Sequence, residues 1–286
     1  MARPLFLAEN LLSWRTFPDH VLTASSTETG LDVRFVGTGR RQRSLNRWAP
    51  STTNADAYVT CAFNRVRAFT HLAIDRDHNL SGYPIQVRAS DDGFSTYTTV
   101  ASATIPTGVY PNSRLSDGLP IRTEEGAILW DLGEQNAKAA RIFVPAMGAG
   151  LKPEIVGLHL GLGWSPEHAL RKPYSHGKIR LVYEVERSPE GWAAAGTIGK
   201  LRVGQPGLRL ERSEYPQARY HIEELFFARK PMWLVMDVNE AEKARYVVAP
   251  PGDAGFEIAD GQWSGWVGEV PYEELEPRII AGVSAS

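Results

Sequence analysis

Apolar and polar residues alternate with period two along many short stretches, as they do in half-buried strands. Leu31-Asp-Val-Arg-Phe-Val36 alternates and stops at Gly37. Tyr58–Phe63 and Ala68–Ile74 are rich in β-formers and bracket what reads as a short turn. Ile85–Ala89 ends in Ser90-Asp-Asp-Gly93, a turn signal. Tyr97–Val100, Ala127–Leu132, Ala140–Val144 and Ile155–Leu160 continue the series. Short strands separated by turns over this length predict a sandwich or jelly roll.

Gly161–Pro173 is rich in Gly, Pro and charge and has no sustained period, so it reads as a connector. Alternation resumes at Lys178–Val185, and turn residues Ser188–Gly191 separate it from a strand-like stretch around Ala195–Val203. The period then changes. Ser213 is placed to cap a helix whose apolar face holds Ala218, Ile222, Leu225 and Phe226, and Pro231 ends it. Met232–Met236, Arg245–Ala249 and Trp263–Val270 read as further strands. The expected fold class is mainly β: a sandwich or jelly roll, then a smaller α+β domain with one helix packed on strands. The expected boundaries are 4–162 for the sandwich, 163–176 for the connector and 177–286 for the α+β domain.

Composition narrows the chemistry. The 286 residues are 43% hydrophobic and 22% charged, and Lys plus Arg (31) nearly balance Asp plus Glu (33), for a net charge of -2. That balance gives no general attraction to nucleic acid or to acidic membranes. No apolar run approaches a bilayer span, so membrane insertion is not expected. The opening Met1–Ala8 holds an apolar patch too short for a secretory signal. The single cysteine, Cys61, excludes an internal disulfide and a cysteine-built metal site, and the seven histidines show no helical ligand spacing. We therefore expect a protein made inside a cell, with no metal and no cofactor.

No nucleophile elbow, phosphate loop or His-Glu-x-x-His occurs, and Gly161-Leu-Gly163 lacks the rest of a dinucleotide fingerprint. The acidic pairs Asp91-Asp92, Glu124-Glu125, Glu223-Glu224 and Glu273-Glu274 are adjacent in sequence, which splays their side chains apart and reads as solvated surface. Catalysis is not expected.

Four residues are candidates for ligand binding. His78 and Asn79, in Asp75-Arg-Asp-His-Asn-Leu80, could meet a sugar or a cation, though capping a tight turn is the favoured reading. Trp14 and Tyr110 lie in loop-like sequence, where an aromatic ring can stack on a sugar or anchor an interface. Trp130 and Trp233, within strands, read as core, and Trp48 as a plug beneath a loop. The basic run Arg40, Arg41, Arg43 and Arg47 reads as a solvated loop or an assembly contact with an acidic neighbour, not as a nucleic-acid footprint.

An ordered set of landmarks runs through the first half. It comprises Leu22–Ser26, Arg47-Trp48, Tyr58–Phe63, His71–Asp75 with His78–Leu80, Ile85–Val87 with Ser90–Gly93, Ala139–Phe143 and Ile155–Gly161. That succession resembles discoidin-like (coagulation factor 5/8 C-type) galactose-binding modules, in the divergent form found in tailed-phage and prophage structural proteins. The disulfide of extracellular members is missing, as assembly in a cytosol would explain. More faintly, Lys178–Val185, Ser213–Phe227 and Met232–Val238, with Glu276–Ile280 as a last strand, resemble the C-terminal part of tail-tip and baseplate proteins.

The resemblance implies a structural component of a phage or prophage tail tip or baseplate, assembled in the host cytoplasm and located in the virion tail. Its partners would be other tail proteins and copies of itself in a homo-oligomeric ring, with a host-surface glycan as a further ligand. The alternatives are a carbohydrate-binding adhesion module and, second, a glycan hydrolase with an unrecognised site.

Overall fold

The computed structural model describes residues 3–13, 16–37, 47–167, 178–187, 193–204, 206–228, 230–249, 259–260, 265–274 and 278–279. Trp14, Arg40, Arg41 and Arg43 lie outside them. The chain divides into two compact units. One holds residues 2–165 and 233–244, the other 166–232 and 245–286. The protein is mainly β.

The first unit contains β1 (Leu5–Leu7), β2 (Val21–Ala24), β3 (Ala57–Ile74), β4 (Pro84–Ser90), β5 (Thr98–Thr104), β6 (Ile121–Arg122), β7 (Ile128–Val144) and β8 (Leu158–Gly161). Two of these are long, β3 with 18 residues and β7 with 17, and they pair antiparallel from Ala57↔Val144 to Ile74↔Ile128. The first half of β3 and the second half of β7 lie in a layer ordered β2-β3-β7-β4-β5. Their other halves pair with β8 and β6 respectively. Register breaks between Ala62 and Arg67, and between Phe69 and His71, mark where β3 bends.

The breaks also reset which side chains face inward. Val59 and Cys61, opposite Ile142 and Ala140, enter the core on odd positions before the bend. Leu72 and Ile74, opposite Trp130 and Ile128, enter the same core on even positions after it. The sequence pattern predicts two strands on each side of this pairing, Tyr58–Phe63 and Ala68–Ile74 around a short turn, and Ala127–Leu132 and Ala140–Val144. Each is instead one strand carrying irregularities, because a bulge absorbs the extra residues without ending the hydrogen-bonded ladder.

Leu31–Val36 is not the strand its alternation predicts. Val33–Gly37 is a 3₁₀ helix, in which Val33 and Val36, three apart, both reach the core. The carboxylate of Asp32 accepts the N–H of Arg34 at 2.8 Å and starts the turn. Trp48 is fully buried as expected, and its Nε1 donates to the Ser26 carbonyl at 3.0 Å.

In the second unit β9 (Lys178–Arg187) and β10 (Ala193–Gly204) form an antiparallel pair, followed by β11 (Gly207–Glu211). A helix follows, α over Tyr215–Ala218 (α1) and π over Arg219–Phe226. The i−5 bond from the Phe227 N–H to the Ile222 carbonyl, 2.8 Å, extends this wider winding to its end. Ala218, Ile222, Leu225 and Phe226 are buried, the face that the spacing predicts. Its entry is held by Glu214, not Ser213: the Glu214 carboxylate accepts the Glu211 N–H at 2.8 Å.

The chain then returns to the first unit, where residues 233–235 of β12 (Met232–Val235) pair with β1 in the register Leu5↔Val235 to Leu7↔Trp233. The remaining strands are β13 (Arg245–Val248), β14 (Ala259–Asp260), β15 (Gly265–Glu269), β16 (Tyr272–Glu274) and β17 (Arg278–Ile279). β10 pairs with β16 and β17, and β11, β15 and β14 form a small sheet in that order.

Candidate functional site

The connection from β5 to β6 is long and without a strand of its own, as loops with a binding role often are. Its ends are tied first. Ile105 is fully buried and its N–H donates to the Tyr83 carbonyl at 3.0 Å. Leu115, also buried, opens a 3₁₀ turn over Leu115–Asp117. Gly118 closes that turn in the left-handed region at φ 66, which costs a glycine little. Its carbonyl accepts the Nε1–H of the buried Trp130 at 2.9 Å.

The middle of the loop is held by the segment that returns to this unit. Glu242 is buried, and its two carboxylate oxygens accept the N–H groups of Asn112 and Ser113 at 3.0 and 3.1 Å. The Ala241 N–H donates to the Ser113 carbonyl and the Leu115 N–H to the Val238 carbonyl, each at 3.0 Å. Ser113 Oγ donates to the Tyr110 carbonyl at 2.6 Å. A charged acceptor on two successive amides fixes the backbone beneath Tyr110 before any ligand arrives.

What the loop presents is a groove of about 490 Å³ against β5, within the size range of small-ligand sites. Ser102, Thr104, Tyr110, Arg114, Asp117 and Arg122 supply its polar groups, and Leu119 an apolar patch. Tyr110 is 62% exposed and Leu119 61%. Arg122 donates to Ser81 Oγ. Among the described residues, the side chains of Tyr110, Arg114 and Asp117 have no protein hydrogen-bond or ion-pair partner. An open ring beside a free guanidinium and a free carboxylate can stack on a sugar face and accept from and donate to its hydroxyls. Among the described residues that line the groove, Asp117 is the one carboxylate. Among the described residues no group of three His, Cys, Asp or Glu is placed to hold a metal.

The other candidates lie apart from this groove. His78 Nδ1 accepts the Leu80 N–H at 3.1 Å, and burial pushes its imidazole down to about 4. Asn79 donates to the Lys152 carbonyl at 2.9 Å and accepts the Glu154 N–H at 2.7 Å, which makes it a staple between two loops. Arg47 pairs within the chain, its Nη1 lying 3.0 Å from Glu154 Oε2. Sequence reasoning reached Tyr110 and missed Arg114, Asp117 and Glu242. Nothing local marks Glu242, since its part is set by amides more than a hundred residues away.

No protein-family model matches the chain, and no curated protein matches it. Several solved structures are similar to part of it. Chitosan-binding module 1 of a Paenibacillus sp. IK-5 chitosanase/glucanase is 15% identical over 53% of this chain and 98% of its own, with TM-score 0.39. A CBM32 module of Clostridium perfringens, in complex with GalNAc-β-1,3-galactose, is 10% identical over 54% of this chain and 99% of its own, also with TM-score 0.39. A Ruminococcus gnavus GH29 fucosidase in complex with fucose is 13% identical over 56% of this chain and 28% of its own, with TM-score 0.40.

Proposed function

We propose that this chain is a carbohydrate-binding protein that takes a glycan in the groove beneath Tyr110. One observation carries the reading. An exposed aromatic ring stands on a loop fixed in advance by Glu242, beside the unpartnered Arg114 and Asp117. The ring covers the apolar face of a sugar, and the two charged groups bond its hydroxyls. Both interactions are made without reordering the loop.

The test is a glycan array followed by calorimetry on the hits. Tyr110→Ala is expected to weaken the best neutral glycan at least 10-fold with the melting temperature unchanged, and Asp117→Asn to weaken it less. An array without hits, or a Tyr110→Ala variant that binds like the parent, overturns the reading.

A tail-tip or baseplate setting in a virion, with copies of this chain and other tail proteins as partners, is proposed as the context in which the module is carried. The ordered landmarks of the first half support it. Electron microscopy is expected to show the chain in a ring or tail complex, and a lasting monomer without partners in the parent particle counts against it.

A further inference from the structure

The outward face of the layer β2-β3-β7-β4-β5 carries a second set of groups, on the side chains of β3, β4 and β7. Arg88 on β4 and Arg141 on β7 are direct cross-strand partners, so two positive charges stand opposite each other. Such like-charge pairs destabilise a sheet. Among the described residues neither guanidinium forms an ion pair. The carboxylates of the adjoining turn are engaged elsewhere: Asp92 with Thr96 and Ser90, Asp91 with the Lys138 N–H.

Aromatic rings flank both cations. The Arg88 guanidinium carbon lies 3.6 Å from the Phe143 ring centre and 4.6 Å from that of Tyr97. The Arg141 carbon lies 4.1 Å from Tyr58 and 3.9 Å from Phe94. Phe94 reaches this position at φ 71, a left-handed backbone that a bulky residue rarely adopts. Its N–H is secured by Ser90 Oγ at 2.9 Å. Each guanidinium is also aimed. Arg88 gives Nε and Nη2 to Gln86 Oε1, and Arg141 gives Nε to Thr60 Oγ1 at 2.8 Å. Free N–H donors remain on both forks.

We propose that Arg88 and Arg141 together bind the carboxylate of an acidic sugar, with the half-exposed ring of Tyr97 stacking on the sugar beside it. Two planar guanidinium forks suit a planar acceptor with two oxygens better than a tetrahedral oxyanion. An anion between the cations also removes their mutual repulsion. With a net charge of -2 the chain has no general pull on polyanions, so the selectivity is local. The inference rests on the carbohydrate-binding reading only in the choice of a sugar as the carrier of the carboxylate.

Binding of the full chain to oligogalacturonate, a neutral galacto-oligosaccharide, sulfated dextran and inorganic phosphate tests it. Oligogalacturonate is expected to bind most tightly and to raise the melting temperature. The double variant Arg88→Lys/Arg141→Lys keeps both charges and loses the planar forks, and is expected to weaken oligogalacturonate at least 10-fold while leaving neutral glycan binding unchanged. Tyr97→Ala is expected to weaken oligogalacturonate as well. Equal binding by the double variant, or tighter binding of sulfated dextran or phosphate than of oligogalacturonate, overturns the inference. Loss of oligogalacturonate in the double variant, with no neutral glycan bound by the parent, supports this site and removes the one beneath Tyr110.

Discussion

The carboxylate of Glu242 accepts the backbone N–H of Ser113 at 3.1 Å, joining two positions 129 residues apart. Its other oxygen takes the neighbouring amide of Asn112, so one buried side chain fixes two successive peptides of the groove loop. Glu242→Gln keeps the shape but turns an acceptor into a donor facing an N–H. We expect a loss of about 1–3 kcal/mol in chemical denaturation, together with weaker glycan binding. A variant as stable as the parent would show that the amides find other partners.

Gly161 leaves no room for a side chain, because a Cβ there would collide with the Glu9 carbonyl. The backbone on either side is tied: His159 Nε2 lies 2.9 Å from the Glu9 carbonyl oxygen, and the Leu11 N–H donates to the Leu160 carbonyl next to Gly161. Gly161→Ala is expected to cost about 3 kcal/mol or more, measured as a shifted urea midpoint. The solvated Gly93→Ala serves as a contrast: its φ of 73 is strained, but nothing lies near the added methyl.

Several histidines are buried neutral. Desolvation pushes His159 down to about 3 from an ordinary 6.5, and it also lowers His71 and His20. The unfolded chain binds these protons near pH 6.5 while the folded chain resists them. Their contribution is therefore complete above about pH 6.5 and is lost as pH falls below it, for His159 down toward its folded value near 3. Between pH 7.5 and 4.5 the melting temperature should drop by about 5 °C or more. His159→Gln should flatten part of that slope, and a pH-independent melt in the parent would refute the assignment.

Cys61 is fully buried, and burial pushes its thiol up to about 12. The native protein should resist iodoacetamide at pH 8 and take up one equivalent per chain in denaturant, as read by mass spectrometry. Rapid native labelling would mean that the layer around Cys61 opens readily.

Much of the sandwich is legible in the sequence because one face of each strand meets a core and the other meets water. Tyr58–Phe63 and Ile85–Ala89 alternate for that reason, and both are strands in the structure. The continuity of β3 is not legible, since Asn64, Arg65 and Arg67 at its bend look like turn residues. The exposure of Asn64 and Arg65 reflects a strand curving out of register, not a chain reversal. The Leu31–Val36 alternation misled because the Asp32 side chain diverts the local backbone hydrogen bonds. At the groove, Tyr110 could be found from its loop-like surroundings. Arg114 and Asp117 acquire meaning only when the 3₁₀ turn, Gly118 and Trp130 bring them to its rim.

The two long strands have a mechanical consequence. Because β3 and β7 each contribute to both halves of the pairing, the sandwich has no internal seam along which one half could peel away. Strain applied at either end travels along the same two ribbons to the other. The body should resist unravelling up to a single threshold and then yield throughout.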